Sequence, residues 1–217
     1  MKVAVLIEKV EHGGIQSIGF GLADLLKNNG DEVQIVHGEN RIGDFSPHID
    51  KVNLGNLFSS LKQPFISIKF IYKFVKYLYK EKPDIVHSMG FPLGVLASIL
   101  TFNRVTCVVT SQTKLRRGNK FINRVLINKF VNKIILTSDY HKSVFPLKVD
   151  SKKLVIIPNM IELNSFNREV NSYNNTGISQ NRDILLSVGR LTSGKRVDIF
   201  LNIIKEISVY NKNVLGI

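Results

Sequence analysis

Apolar and polar positions along this chain follow two periods that take turns. Short β-type runs occur at Lys2–Ile7, Glu32–Val36, Asp84–His87, Val105–Thr110, Lys133–Thr137 and Leu154–Ile157. Between them the apolar residues recur at helical spacing. The first such stretch runs from Ile15 to Asn29, with apolar residues at Ile18, Leu22, Leu25 and Leu26. Others cover Pro64–Glu81, Pro92–Phe102 and Phe121–Asn132, with a short helix near Tyr140, and Val36 to Pro64 reads as loop. Strands alternating with helices predict an α/β fold, a Rossmann-like parallel sheet with helices on both faces. Ligands of such sheets bind at the C-terminal ends of the strands. This first domain is expected over residues 1–165.

Asn164 to Asn181 is polar, contains Asn-Ser-Tyr-Asn-Asn-Thr-Gly and shows no apolar period, so residues 166–182 read as a linker. Residues 183–217 then hold a strand (Ile184 to Val188), a helix (Val197 to Val209) and the start of something further. A single βα unit cannot enclose a core. The second domain is therefore expected to be incomplete in this chain.

With 217 residues, 44% of them hydrophobic, the chain can bury a sizeable core. Its longest apolar stretch, Gly90 to Phe102, falls short of the ~20 residues that a membrane span needs. The start MKVAVLIEKV reaches acidic Glu8 too soon for a secretory signal. Cys107 stands alone, which gives no disulfide framework and favours a reducing compartment. A cytoplasmic location is the expectation. The net charge of +13 is unevenly placed, because no carboxylate lies between Asp84 and Asp139 while Arg104, Lys114, Arg116, Arg117, Lys120, Arg124, Lys129 and Lys133 do. Such a field attracts phosphates, whether of nucleic acid, nucleotide or lipid. No nucleic-acid recognition motif accompanies it, and no nucleic-acid partner is expected. The five histidines (His12, His37, His48, His87, His141) show no metal-ligand spacing with one another or with Cys107, so neither a metal nor another cofactor is expected. Gly-x-Ser-x-Gly and Gly-Lys-Ser/Thr elements are absent, which argues against hydrolase and P-loop chemistry.

Three places carry candidate chemistry. In the first turn, Gly13-Gly14 would let backbone N–H groups approach an anion, although the G-x-G-x-x-G fingerprint is missing and a plain tight turn reads equally well. In Leu186-Ser-Val-Gly-Arg-Leu-Thr-Ser-Gly-Lys195, a strand breaks at glycine, and Arg190 and Lys195 precede an amphipathic helix. That arrangement presents two cations and a helix N-terminus to a phosphate, the alternative being a solvated charge pair. On Pro64–Glu81, Lys69, Lys73, Lys76 and Lys80 fall within roughly 60° of one another. Phe70 and Tyr77 are expected to flank this stripe on one side and Tyr72 and Tyr79 on the other, with Ile71, Val75 and Leu78 toward the core. Lysines beside amphipathic aromatics suit an anionic lipid surface, and ~1 kcal/mol per lysine gives ~4 kcal/mol, enough for reversible docking. An ordinary solvated helix face is the alternative.

Together these segments resemble family 4 glycosyltransferases of the GT-B fold. The resemblance is carried by Gly13-Gly14, Gly21-Leu-Ala-Asp-Leu-Leu-Lys-Asn-Asn-Gly30, Glu32-Val-Gln-Ile-Val36, Pro83-Asp-Ile-Val-His87, Thr137-Ser-Asp-Tyr140, Val155-Ile-Ile-Pro-Asn159 with Phe166, and Val188-Gly-Arg-Leu191 with Lys195. It implies transfer of a hexose-type sugar from a nucleotide-diphosphate donor to a glycan or lipid-linked acceptor, in cell-surface polysaccharide synthesis. It implies that Arg190 and Lys195 grip the donor diphosphate, and that Gly13 and Gly14 offer amides to the phosphate or the sugar. His87 and Gln112 take the catalytic positions, His87 having a packed strand-end residue as its alternative reading and Gln112 standing where many relatives carry a histidine; glutamine can orient a hydroxyl but cannot act as a base. Lys69, Lys73, Lys76, Lys80, Arg116 and Arg117 would form the acceptor- or membrane-facing surface of a peripheral protein. Met89, Met160 and Arg196 depart from the family pattern. The family's acidic pair of the donor domain is not found before Ile217, which leaves a second expectation open: a non-catalytic truncated product, or an acceptor- and membrane-binding subunit needing a separate donor domain.

Overall fold

The computed structural model describes residues 1–10, 13–40, 47–56, 67–111, 120–143, 145, 149–159, 182–189 and 191–217. The chain divides into two compact units, Met1–Ile161 and Glu162–Ile217.

The first unit is a seven-stranded, wholly parallel sheet in the order β3-β2-β1-β4-β5-β6-β7. Its strands are β1 (Lys2–Val10), β2 (Glu32–Asn40), β3 (Asp50–Asn53), β4 (Ile85–Ser88), β5 (Thr106–Ser111), β6 (Lys133–Leu136) and β7 (Leu154–Ile156). The helices are α1 (Gly14–Asn28), α2 (Ile68–Glu81), α3 (Phe91–Leu100), α4 (Lys120–Phe130) and α5 (Asp139–Ser143). The strand order turns back between β1 and β4, since β2 and β3 build outward on one side and β5 to β7 on the other. The expected Rossmann-like sheet is therefore present, with the point where its winding reverses at β1/β4.

Both faces are covered, as the near-continuous apolar strands require. On one face Val3, Val5 and Ile7 of β1 pack with Phe20 and Ala23 of α1. On the other, Ala4, Leu6 and Val86 meet Phe70, Phe74 and Leu78 of α2 and Leu93 and Ala97 of α3. Farther along, Cys107, Val109, Ile134 and Leu136 pack with Ile127 and Val131 at the end of α4. Gly94 of α3 is needed for this fit, because a Cβ there would stand 2.7 Å from Val109 Cγ2 and 3.2 Å from Cys107 Sγ.

The structure corrects three readings. Strand β3 lies inside the stretch read as loop; its sequence Asp-Lys-Val-Asn at the sheet edge carries no apolar run, and pairing with Gln34–His37 of β2 makes it a strand. On α2, Phe70 and Tyr77 do not flank the lysines but are buried, together with Phe74, while Ile71 and Val75 are only half-buried. The buried arc centres on Phe74, and the aromatic rings displace the smaller aliphatic residues from it. On α1 the buried residues are Gly19, Phe20 and Ala23, whereas Leu25 is exposed. The Pro64–Phe65–Ile66 start expected for α2 lies outside the described residues; within them Ser67 caps the helix, its hydroxyl accepting from Phe70 N–H at 3.5 Å.

In the second unit, β8 (Asp183–Leu185) pairs in parallel with β9 (Val214–Gly216) across α6 (Val197–Tyr210). Strand β9 is the further element that the sequence pattern left unassigned. Gly216 permits this close crossover, since a Cβ there would meet Ile204 Cγ1 at 2.7 Å. Apolar surface stays open on this unit, with Val188 and Leu191 85% and 88% exposed. The 166–182 linker falls almost wholly outside the described residues.

Candidate functional site

Parallel strands point all their C-terminal ends to one edge, and a crevice forms where the order reverses. Here that crevice lies above β1 and β4. Each of these strands turns into a helix through glycine. After β1, Gly13 is the extended N-cap residue of α1; after β4, Gly90 holds the same position before α3. Neither cap has a side-chain hydrogen bond, and neither first turn contains an acidic residue. Two helix N-termini thus bring unsatisfied N–H groups and partial positive charge to one edge of the sheet. At Gly14 an added Cβ would meet nothing within 4 Å, so the backbone there is open to an incoming group. At Gly13 it would meet Gln16 Oε1 at 2.6 Å, because the Gln16 amide folds back to donate from Nε2 to Lys9 O at 3.1 Å. The sequence reading found the first of these turns and missed the second. The signal for it was present in Gly90-Phe-Pro, with proline in the first turn of a helix.

His87 sits on the last-but-one residue of β4, level with Val5 of β1 and Val108 of β5. It is buried, and its Nε2 lies 2.7 Å from Thr110 Oγ1 on β5. Burial pushes its pKa from 6.5 down to about 4, so the ring is neutral under ordinary conditions. A neutral imidazole held by a hydroxyl can position the strand ends; it carries no charge to offer a phosphate. Thr110 as the partner of His87 is another residue that the sequence reading did not assign. Its neighbour Ser111 is also buried, and the Ser111 hydroxyl has no hydrogen-bond partner among the described residues. Met89, one of the departures from the family pattern, belongs to the core with Phe20 and Ile7. His37 ends up buried near the C-terminal end of β2; burial lowers its pKa, and its Nδ1 donates to Gly38 O at 2.9 Å. Cys107 is buried with its thiol donating to Gly94 O at 3.2 Å, and burial pushes its pKa up, which makes it an inert core residue.

In the second unit, Lys195 closes a short 3-10 turn (Ser193–Lys195) just ahead of α6. Its side chain is exposed, and its stem lies over Gly189, whose added Cβ would stand 3.6 Å from Lys195 Cγ and Cδ. Arg196, the N-cap residue of α6, adopts φ 50, a left-handed conformation that glycine takes at least cost. It compensates through Asp198, with Nε donating to Oδ1 at 3.1 Å and Nη2 to Oδ2 at 2.9 Å. Arg190, Gln112, Arg116 and Arg117 lie outside the described residues. Lys69, Lys73, Lys76 and Lys80 are all exposed on α2. Among the described residues no helix is long and apolar enough to cross a membrane.

Comparison with known proteins places this geometry. A family model described as Glycosyltransferase Family 4 matches residues 12–165. The structure of HepE from Anabaena in complex with UDP and glucose superposes with a TM-score of 0.73 at 16% identity, covering 100% of this chain and 60% of that one. WaaG, a glycosyltransferase involved in lipopolysaccharide biosynthesis, gives a TM-score of 0.65 at 14% identity over 99% of this chain and 62% of its own. The apo form of the lipopolysaccharide outer core galactosyltransferase WaaB gives 0.64 at 14% identity, over 100% and 67%. The chain thus spans about 60% of the length of the first two structures. No curated protein sequence gives a significant match.

Proposed function

Because the chain belongs to Glycosyltransferase Family 4, we propose that its strand-end crevice serves transfer of a hexose-type sugar from a nucleotide-diphosphate donor to a glycan or lipid-linked acceptor. The observation that carries this reading is the pair of uncapped helix N-termini, at Gly13-Gly14 and Gly90, on the edge where the strand order reverses. Departure of the nucleotide builds negative charge on its phosphates, and prealigned N–H groups and cations stabilise that charge in the transition state. Gly13 and Gly14 supply amides. Lys195, and Arg190 beyond the described residues, supply cations. His87 is a positioning residue, holding β4 to β5 through Thr110, and Gln112 orients a sugar hydroxyl. In this reading neither a metal nor another cofactor takes part. HepE has been captured with UDP-glucose, which makes that sugar nucleotide the first probe for this chain.

The test is release of UDP from UDP-glucose and other sugar nucleotides, with donor binding measured beside it. Gly14→Ala is the informative variant: the open space at Gly14 accepts a methyl in the free protein, while the methyl would occupy the approach to the amides. Stability should hold and donor affinity should fall. Lys195→Ala or Arg190→Ala should each cost about 3 kcal/mol of transition-state stabilisation. Unchanged kinetics in all three would remove this site from the reaction.

A second reading concerns where the protein works. The exposed lysines of α2 favour a peripheral position on the inner face of an anionic membrane, where lipid-linked acceptors for cell-surface polysaccharide are reached. An acceptor- and membrane-binding subunit that uses a separate donor domain would share this surface. Such a subunit would bind vesicles and release no UDP unless the partner is added.

A further inference from the structure

Opposite the strand ends, at the N-terminal edge of the sheet, lies a cavity that sugar transfer does not use. It has a volume of about 390 Å³. Tyr79 and Lys82 border it at the end of α2, Asp84 just before β4, and Thr101 and Arg104 after α3, over a floor that includes buried Leu78. Lys82 and Arg104 are both exposed, and neither makes an ion pair or a side-chain hydrogen bond among the described residues. Negative charge faces them from three sources. Asp84, exposed just before β4, lines the cavity, and its Oδ2 accepts from Lys2 N–H at 2.8 Å. Helices α2 and α3 both end here, at Glu81 and Leu100, with the partial negative charge of their last carbonyls. Two cations against one carboxylate and two helix ends leave little net charge. A simple anion therefore gains little here, whereas a ligand carrying both a phosphate and a hydrogen-bonding ammonium satisfies both sides.

The surroundings say where such a ligand comes from. Along the exposed face of α2 run two adjacent stripes. Ile68, Tyr72 and Tyr79 are 83%, 68% and 48% exposed, and Lys69, Lys73, Lys76 and Lys80 each follow one residue behind that line or extend it at helical spacing. Phe102, next to Thr101, is 78% exposed. Apolar and aromatic side chains beside lysines are the pattern of a helix lying in a lipid interface. Tyr79 belongs both to this face and to the cavity wall, its hydroxyl donating to Leu100 O at 3.3 Å.

We propose that the cavity between the ends of α2 and α3 holds the headgroup of a zwitterionic phospholipid bearing a primary amine, with its phosphate between Lys82 and Arg104 and its ammonium at Asp84. This rests on the membrane reading of α2 given above. A primary ammonium donates hydrogen bonds to the carboxylate, which a trimethylammonium cannot do.

The experiment measures binding to vesicles with a fixed fraction of phosphatidylglycerol, in which phosphatidylcholine is replaced stepwise by phosphatidylethanolamine. The wild-type chain should bind roughly tenfold tighter to the ethanolamine vesicles, as one charge-assisted contact predicts. K82Q/R104Q should lose that preference, and its circular dichroism should be unchanged because both residues are exposed. K69Q/K73Q/K76Q/K80Q should weaken binding to both vesicle types and keep their ratio. A second arm titrates soluble phosphoethanolamine, phosphocholine and inorganic phosphate by NMR, which separates headgroup recognition from changes in bilayer packing. No preference for ethanolamine vesicles, a preference that survives K82Q/R104Q, or equal binding of the three soluble compounds would each overturn the proposal. None of these readouts involves a sugar nucleotide, so a failed transfer assay and a failed headgroup assay are told apart.

Discussion

Protonation of His87 should govern the acid stability of the sheet unit. The imidazole is buried between β1 and β5, and its pKa falls from 6.5 to about 4 because burial disfavours the charged ring. In the unfolded chain it titrates near its ordinary value. Between these two values the unfolded state binds one more proton than the folded state, so stability falls as the pH falls through that window. Above pH 6.5 both states are neutral and the residue contributes no pH dependence. Complete traversal of the window costs roughly 3 kcal/mol, a large share of the 5–15 kcal/mol typical of a domain. Urea unfolding followed by far-ultraviolet circular dichroism, at steps from pH 7 to pH 4, measures the loss. His87→Gln keeps an amide that can bond Thr110 Oγ1 and removes the titrating group. The wild type should lose roughly 3 kcal/mol more than the variant over this range. His37, also lowered by burial, acts equally in both proteins and cancels from the difference. Parallel pH profiles for the two proteins would refute the assignment of a neutral, fold-locked His87.

Two further substitutions test the packing that sets the strand ends in place. Gly94→Ala should cost about 1–3 kcal/mol in thermal or urea unfolding, since the new methyl presses on Val109 and Cys107 at the α3–β5 contact; a stabilised variant would show that this contact is loose. Tyr77→Phe should cost about 1 kcal/mol, because the buried Tyr77 hydroxyl donates to Gln34 Oε1 at 2.9 Å and its loss strands that acceptor. An unchanged urea midpoint would mean that water replaces the hydroxyl.

Much of the architecture was legible in the residues. Apolar runs such as Val3–Ile7 and Val105–Val109 read as buried strands, and helical spacing between them fixed the alternation and the parallel sheet. The Gly13-Gly14 turn and Lys195 stood out because glycine and a cation ahead of a helix are the residue types a phosphate site would need, and the structure places them in the turns before α1 and α6. Edge strand β3 was not legible, since its four residues are strand only through pairing with β2. The buried face of α2 was misjudged because Phe70, Phe74 and Tyr77 are set by the holes that β1, β4 and α3 present, and periodicity alone does not rank an aromatic against an aliphatic neighbour. The state of His87 likewise belongs to tertiary structure: burial keeps it neutral, and its hydrogen-bond partner, Thr110, lies 23 residues away in sequence. The cavity beside Lys82, Asp84 and Arg104 exists only because two helices end side by side against the same sheet edge. Local period and residue type therefore determined the elements and their order, while the meeting of side chains from distant segments decided the charge state, the cavities and the burial of each ring.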